Sequence, residues 1–350
     1  MSAQLTLQSV KTDVLSLDDM VTDLSAFQSR LEYIIRKDEY DLFSFDVINL
    51  SPVIANTIRR IILDEVPTIA IDTVVVHENS SIIADEIFSH RLGLVPMNID
   101  PRLFEYHEDG DKIHERNTVV FKLDVTAPAT YPGSFQDGEP RWFYVYSRDI
   151  HWVPIGGQKN WLPEQEVRPG TSSLPAPLDP DILLAKLAPG QRIFCEIYCH
   201  KGVGRTHAKF QPVGTAWYKM KTQVSLDKDA LLQHPEIGGN ADKLVEKLHK
   251  VCPVGVFAGV DRQLDIEDFS TRHPERVEAC TLCRECIAGF TDEQSQCGVR
   301  IELIKTHLVF TIESCSWYRA RDIYLEALTV MQQKAVLLKS SLKTGELIEE

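Results

Sequence analysis

Residues 56–96 read NTIRRIILDEVPTIAIDTVVVHENSSIIADEIFSHRLGLVP. The stretch begins inside an amphipathic helix. Ser51 and Pro52, just upstream, form a helix start: a capping hydroxyl, then proline at the first helical position. From Val53 to Val66, the residues Ile54, Ile58, Ile61 and Ile62 fall on one face at helical spacing, and Pro67 ends the run. Thr68 to His77 is rich in β-branched residues and is expected as a strand. Ile82 to His90 is expected as a short helix. Arg59 and Arg60 stand in the middle of the apolar helix. Burying a guanidinium without a partner is expensive, so the pair must face solvent or the acceptors of another chain.

Upstream, Tyr40 to Leu50 alternates, with Phe43, Phe45 and Val47 on one face of a half-buried strand. Residues 1–33 read as a loosely ordered acidic arm. Downstream, from about Pro101 to Pro189, aromatic and valine runs alternate with Pro/Gly-rich stretches, the texture of an inserted β-rich domain. Arg192 to Cys199 is a strand with Ile193, Cys195, Ile197 and Cys199 on one side. A glycine-bearing loop at 200–214 and a strand from Thr215 to Ser225 follow. Residues 226–296 form a polar, cysteine-bearing segment, and Val299 to Glu313 returns to strand patterning. A long helix from about Ser316 to Leu342 closes the pattern. Its Trp317, Tyr324, Met331 and Leu338 recur every seven residues, a seam that favours packing along another helix. Burial of that face on the helix's own domain accounts for the same spacing equally well.

The chain has 350 residues, 43% hydrophobic and 25% charged, ordinary for a globular protein. No stretch reaches the ~18 uncharged apolar residues of a membrane helix. The acidic N-terminus lacks the basic lead and apolar core of a secretory signal, so none is expected. A formal net charge of −14 argues against a chain that grips nucleic acid with most of its surface. Nucleotidyl transfer needs a carboxylate cluster for two Mg²⁺ ions. Asp64-Glu65 and Asp85-Glu86 read instead as helix-end charges, and no Ser/His/Asp or Cys/His arrangement has supporting context.

Residues 56–96 resemble the signature of the alpha-like subunits of RNA polymerases. Asn56, Arg59, Arg60, Pro67, Glu78-Asn79, Asp85-Glu86 and Arg91-Leu92-Gly93 supply the pattern, and Phe88 and Ser89 depart from it. A second block, KGVGRTHAKFQPVGTAWY at 201–218, is similar to a segment of the larger alpha-like subunits of archaea and eukaryotes. Its Gly202 and Gly204 alone are a weak phosphate-loop signal, rejected for want of a third glycine and a following helix. Lys201, Arg205, His207 and Lys209 are left either to meet an acidic neighbouring subunit or to sit in a solvated connection. The resemblance covers about residues 35–340. The TAWYK ending, the length, the acidic arm and the long loops at 105–180 resemble the subunit shared by eukaryotic RNA polymerases I and III.

The resemblance implies an α+β fold. A split alpha-like dimerisation domain (34–96 plus 297–350) would carry an inserted β-rich domain (97–225) and a ferredoxin-like cysteine-bearing insertion (226–296), behind the arm at 1–33. It implies a non-catalytic scaffold that pairs with a smaller alpha-like subunit through Ile54, Ile58, Ile61, Tyr324, Leu328 and Met331. The pair would dock on the second-largest polymerase subunit, with Arg59 and Arg60 at or near that contact, and join other core subunits. Little nucleic-acid contact, no membrane and a nuclear location that includes the nucleolus follow from the same resemblance.

Eight cysteines outside a secretory context are not expected to form a disulfide framework. The run Cys280-x-x-Cys283-x-x-Cys286 lacks the nearby fourth cysteine of bacterial ferredoxins, because Phe290 and Thr291 hold those positions. Cys252-Pro253 offers the remote Cys-Pro pair that two-cluster ferredoxins use. The resemblance implies a [4Fe–4S] cluster on these four residues, as in some archaeal alpha-like subunits. A zinc site recruiting Cys297 and a metal-free relic are the alternatives. Cys195 and Cys199, about 13 Å apart at ~3.3 Å per strand residue, are read as packing residues, and Cys315 as core. The competing functions are an alpha-like subunit of the archaeal or polymerase II type, and an iron–sulfur redox protein. The redox reading leaves both polymerase-like blocks unexplained.

Overall fold

The structure is a computed structural model that describes residues 24–108, 110–129, 142–162, 173–260, 269–291 and 298–344. In chain order the elements are α1 (Leu24–Arg30), β1 (Glu32–Asp38), β2 (Leu42–Ile48), α2 (Pro52–Asp64), β3 (Thr68–Asn79), α3 (Asp85–Gly93) and β4 (Val119–Thr126). Then come β5 (Phe143–Tyr146), β6 (Ile150–Val153), α4 (Gln158–Trp161), β7 (Leu183–Leu187), β8 (Arg192–Gly202) and β9 (Val213–Leu226). The short helices α5 (Lys228–Gln233), α6 (Ala241–Val251), α7 (Phe269–Arg272), α8 (Pro274–Glu278) and α9 (Glu285–Phe290) precede β10 (Val299–Ser314) and α10 (Ala320–Thr344). The strands form sheets ordered β1-β2-β10-β9, β3-β8-β4-β6 and β5-β7. The β3, β8, β4 and β6 pairings are antiparallel, as is β5 with β7. Two compact units result, one of 35–45, 52–219 and 309–350, the other of 1–34, 46–51 and 220–308.

In the larger unit, β8 alternates as its sequence requires. Ile193, Cys195, Ile197 and Cys199 point into a core shared with Val119, Phe121 and Leu123 of β4 and with Ile69 and Ile71 of β3. Burial pushes the Cys195 thiol up to about 12, so it packs as a small hydrophobe. Helix α3 closes this core with Phe88 and Leu92, both 0% exposed. Phe88, a departure from the polymerase pattern, therefore serves as a central core side chain. The helix runs from Asp85, three residues later than the pattern places it, because Asn79 first bonds the Ile83 carbonyl and the Asp85 carboxylate.

The two ends of the described chain meet in the same unit. Phe45 of β2 stacks on Phe310 of β10 at 5.4 Å, and Tyr324 of α10 meets Phe45 edge-on at 4.8 Å. Tyr218 lies 5.2 Å from Phe310. Tyr40 donates to the Trp317 carbonyl at 2.8 Å, and Arg319 and Arg321 both reach Asp38. Helix α2 starts at Pro52, buries Ala55, Ile58, Ile61 and Ile62, and packs against α10. Lys334 Nζ bonds both oxygens of Glu65 at 2.8 Å where these helices pass.

The smaller unit buries Leu231, Leu244, Leu248, Phe257, Phe269, Cys286 and Phe290 against Val224 and Val299. Asn240 caps α6 and Asp227 caps α5, each through a side-chain oxygen. Ser270 Oγ accepts from Val224 N at 2.6 Å and donates to Val224 O at 2.7 Å, which fixes α7 on the strand. His307 and Asp46, both largely buried, pair at 2.8 Å. The expected loose arm is structured at its end. Residues 1–23 lie outside the described residues, but Leu24–Arg30 is helical, and Asn49, at φ 66°, donates to the Arg30 carbonyl at 2.8 Å.

Candidate functional site

The seven-residue seam of α10 divides along its length. Trp317 lies in the bend before α10, which starts at Ala320 rather than at Ser316; it and Tyr324 are 5% exposed within their own unit, Met331 is half-buried, and Leu338 is 54% exposed. Around Leu338 stand Val336, Leu337 and Leu342, also exposed. Of the residues expected at a partner contact, Ile58, Ile61 and Tyr324 are buried within the chain, Ile54, Arg59, Leu328 and Met331 are half-buried, and Arg60 is exposed. Arg59 is satisfied by Asn56 one turn back, at 3.0 and 3.2 Å. The periodicity missed Val53 and Leu325, which leave further apolar surface on α2 and α10. Helical spacing marks a face without telling which chain covers it.

The block at 201–218 wraps the C-terminal end of α2. Arg205 N donates to the Asp64 carbonyl at 2.9 Å, which satisfies a helix-end acceptor. A Cβ on Gly204 would lie 2.2 Å from the Leu63 carbonyl oxygen, and one on Gly202 would lie 2.7 Å from the Phe210 ring. Both glycines therefore permit close packing. The basic residues expected to meet a neighbour are partly used within the chain. Lys209 Nζ bonds Asp72 at 2.6 Å, and Lys201 Nζ bonds the Phe104 carbonyl at 2.9 Å above the Tyr106 ring. The hydrogen bond from His200, with Lys209 beside it, holds the Asp72 carboxyl far below the usual carboxylate range against its partial burial.

Cys252, Cys280, Cys283 and Cys286 line one small pocket, with Val254, Val256 and Phe257 as apolar walls. Val256 N donates to Cys252 Sγ at 3.4 Å. Leu282 and Arg284, between the three clustered cysteines, hold φ of 59° and 64°. Left-handed backbone is unfavourable for such residues, and strain of this kind gathers at ligand sites. Burial pushes the Cys286 thiol up to about 11, and the three neighbouring thiols act in the same direction. No group of three or more His, Cys, Asp or Glu among the described residues stands ready to hold a metal ion. The four thiols thus share a pocket without converging on a point. Cys195 and Cys199 are core, as expected, whereas Cys315 is exposed: its neighbours Ser316 to Tyr318 turn inward and leave it facing out.

Residues 69–216 match the model of the RNA polymerase Rpb3/RpoA insert domain. The chain is 33% identical over 320 residues to the Dictyostelium discoideum DNA-directed RNA polymerases I and III subunit rpac1, covering 91% of this chain and 84% of that protein. It is 34% identical to the Homo sapiens RPAC1 subunit, covering 86% and 81%, and 32% identical to that of Saccharomyces cerevisiae, covering 85% and 83%. The chain belongs to the RPAC1 family of alpha-like RNA polymerase subunits. RPAC1 proteins are non-catalytic assembly subunits, so this chain is a structural component of a multi-subunit RNA polymerase rather than an enzyme. Membership in the RPAC1 family implies a nuclear location.

The close packing in the second RPAC1-like block is testable. Gly204→Ala places a methyl against backbone that cannot rotate away and is expected to cost about 1–3 kcal/mol of stability. Gly214→Ala, whose Cβ would meet nothing within 4 Å, is the control and is expected to be near neutral. Chemical denaturation of the two variants beside the parent chain measures both; equal midpoints for Gly204→Ala and the parent would contradict the packing role.

Proposed function

We propose that this subunit pairs with a smaller alpha-like subunit through α10 and α2, and that the pair nucleates assembly of RNA polymerases I and III. The observation that supports this most is the outer half of α10. Leu338 and Leu342 continue an apolar seam whose inner half is already covered, and Val336 and Leu337 are exposed on the flanking faces of the helix. Exposed apolar surface at the end of a long helix favours a partner, and obligate interfaces are apolar. Ile54, Leu328 and Met331 are half-buried and would extend the contact, whereas Ile58, Ile61 and Tyr324 are buried within the chain and would contribute only by holding the two helices in place. The dimerisation domain would comprise 34–96 plus 297–350, around the β-rich domain at 97–225. Arg60, and Arg59 held by Asn56, would lie at or near the contact with the second-largest polymerase subunit. The nucleolus, where the polymerase I subunit would work, joins the nuclear location.

Leu338→Asp changes an exposed side chain and should leave the fold intact. It is expected to cost about 2 kcal/mol or more of pairing free energy, with the thermal transition of the chain unchanged. Ile58→Asp would not discriminate, because Ile58 is 2% exposed and its replacement damages the core. Pull-down of the smaller subunit by Leu338→Asp at parental strength would remove this helix from the interface.

The segment 226–296 is a ferredoxin-like insertion in this reading, with Cys252, Cys280, Cys283 and Cys286 as ligands of a [4Fe–4S] cluster. Their shared pocket and the left-handed Leu282 and Arg284 support the cluster. A single zinc ion, with Zn–S bonds of ~2.3 Å, would need the sulfurs drawn to one point. Cys297, the further zinc ligand considered, lies outside the described residues. A bound cluster would supply a cross-link among four chain positions and a one-electron redox centre. The chain's own part is to present four thiolates in an apolar pocket that limits solvent access. An anaerobic preparation is expected to hold iron near four per chain with visible absorbance, and Cys283→Ala to lose most of it. Parent protein without iron under those conditions would leave zinc or a relic.

A further inference from the structure

The outer half of α10 carries charge of one sign beside its apolar residues. Residues 331–344 contain three lysines and no carboxylate, in a chain whose formal net charge is −14. Lys334 is held by Glu65. Lys339 and Lys343 are exposed, and neither has an ion pair among the described residues. At ~100° per residue, Leu338 and Leu342 form the seam, Lys339 and Lys343 stand together on one flank of it, and Lys334 stands on the other. Like charges one helical turn apart repel and weaken a helix. The negative end of the helix dipole favours Lys343, in the last turn, but its effect fades within that turn and leaves Lys339 unexplained. A stripe that served solubility alone would mix signs, as the inner half does with Arg321, Asp322 and Glu326. What offsets the repulsion is an anion from another molecule. Phosphate fits poorly: two lysines neutralise about two phosphates, a weak grip, and the leucines beside them would meet nothing apolar on a phosphate backbone. A second copy of this chain fits no better, because its own residues 331–344 hold no carboxylate. The carboxylates of a different protein chain remain.

We propose that the outer half of α10 selects its partner by charge: the helix of the smaller alpha-like subunit that packs on Leu338 and Leu342 carries aspartate or glutamate along the edge that meets Lys339 and Lys343. The proposal rests on the pairing reading above and adds the partner's chemistry to it. Apolar contact supplies most of the affinity, and the charged edge sets which chain is accepted and in which register. An acid-edged helix is accepted, and a basic-edged one is refused. The double variant Lys339→Glu, Lys343→Glu changes two exposed side chains and should leave the melting temperature unchanged. It is expected to pair with the smaller subunit about tenfold more weakly at low salt, and added salt should narrow its gap from the parent. Lys228→Glu with Lys250→Glu alters the net charge equally at exposed sites of the smaller unit and is expected to pair as the parent does. Carbodiimide joins an amine to a carboxylate in contact with it. In the parental pair it is expected to link Lys339 or Lys343 to an aspartate or glutamate of the smaller subunit. Parental pairing by the charge-reversed α10 at low salt overturns the proposal, as does equal weakening by the control variant. So do links made only to Glu346, Glu349 or Glu350, which follow α10 in the sequence, since the chain would then neutralise its own lysines. Retention of the parent chain on single-stranded RNA or phosphatidylserine vesicles, lost on charge reversal with pairing intact, overturns it in favour of a phosphate. If the pairing reading itself fails, Leu338→Asp pairs at parental strength. If the charge reading alone fails, Leu338→Asp weakens pairing and charge reversal does not.

Discussion

Phe45 and Phe310 stack at 5.4 Å, and Tyr324 closes on both rings. These residues come from opposite ends of the described chain, with most of the protein between them. Joining distant positions costs loop-closure entropy, though that cost grows only slowly with length. Each aromatic pair returns about 0.5–1.5 kcal/mol beyond the area it buries. The contacts of Tyr40, Asp38, Arg319 and Arg321 around the same point add hydrogen bonds to this closure. Without it, α10 would have no seat against α2, and the inner half of the helical seam would lose its cover.

That closure sets how much of α10 the chain covers for itself. The aromatic cluster takes Tyr324, and the Lys334–Glu65 pair marks where α2 ends beside α10. Beyond it the helix keeps apolar residues that the described parts of its unit leave exposed. A helix that buried its whole stripe at home would need no partner, and one without the inner half would have no anchor. On the proposed pairing, the division of one stripe into covered and uncovered halves would let the subunit anchor the helix at home and offer the rest of it to another chain.

Much of this was legible in the sequence, for identifiable reasons. Ser51-Pro52 and Pro67 bracket α2 because proline and a capping hydroxyl act locally. The alternation of β8 survives because one face is buried and the register is therefore strict. The four cysteines were grouped by spacing, and they share a pocket. Other features depend on distant parts of the chain. Ile58 and Ile61 read as interface but are covered by their own unit, because periodicity does not reveal which chain does the covering. Lys209 looked available to a neighbour until the fold brought Asp72 within 2.6 Å. Cys315 directly precedes the buried run Ser316 to Tyr318 yet is exposed. Nothing in the residues around Ser316 and Tyr318 signalled that their hydroxyls would be buried without a hydrogen-bond partner.

Backbone hydrogen exchange along α10 separates a helix that waits for a sister subunit from one that is complete alone. If the outer half of the seam is finished by another chain, amides from Met331 to Thr344 exchange quickly in the isolated subunit, while those near Tyr324 are protected. Adding the smaller alpha-like subunit should then slow the outer amides to the level of the inner ones. Slow exchange along the whole helix in the isolated subunit, unchanged by the smaller subunit, would contradict the claim that the fold is finished by its partner.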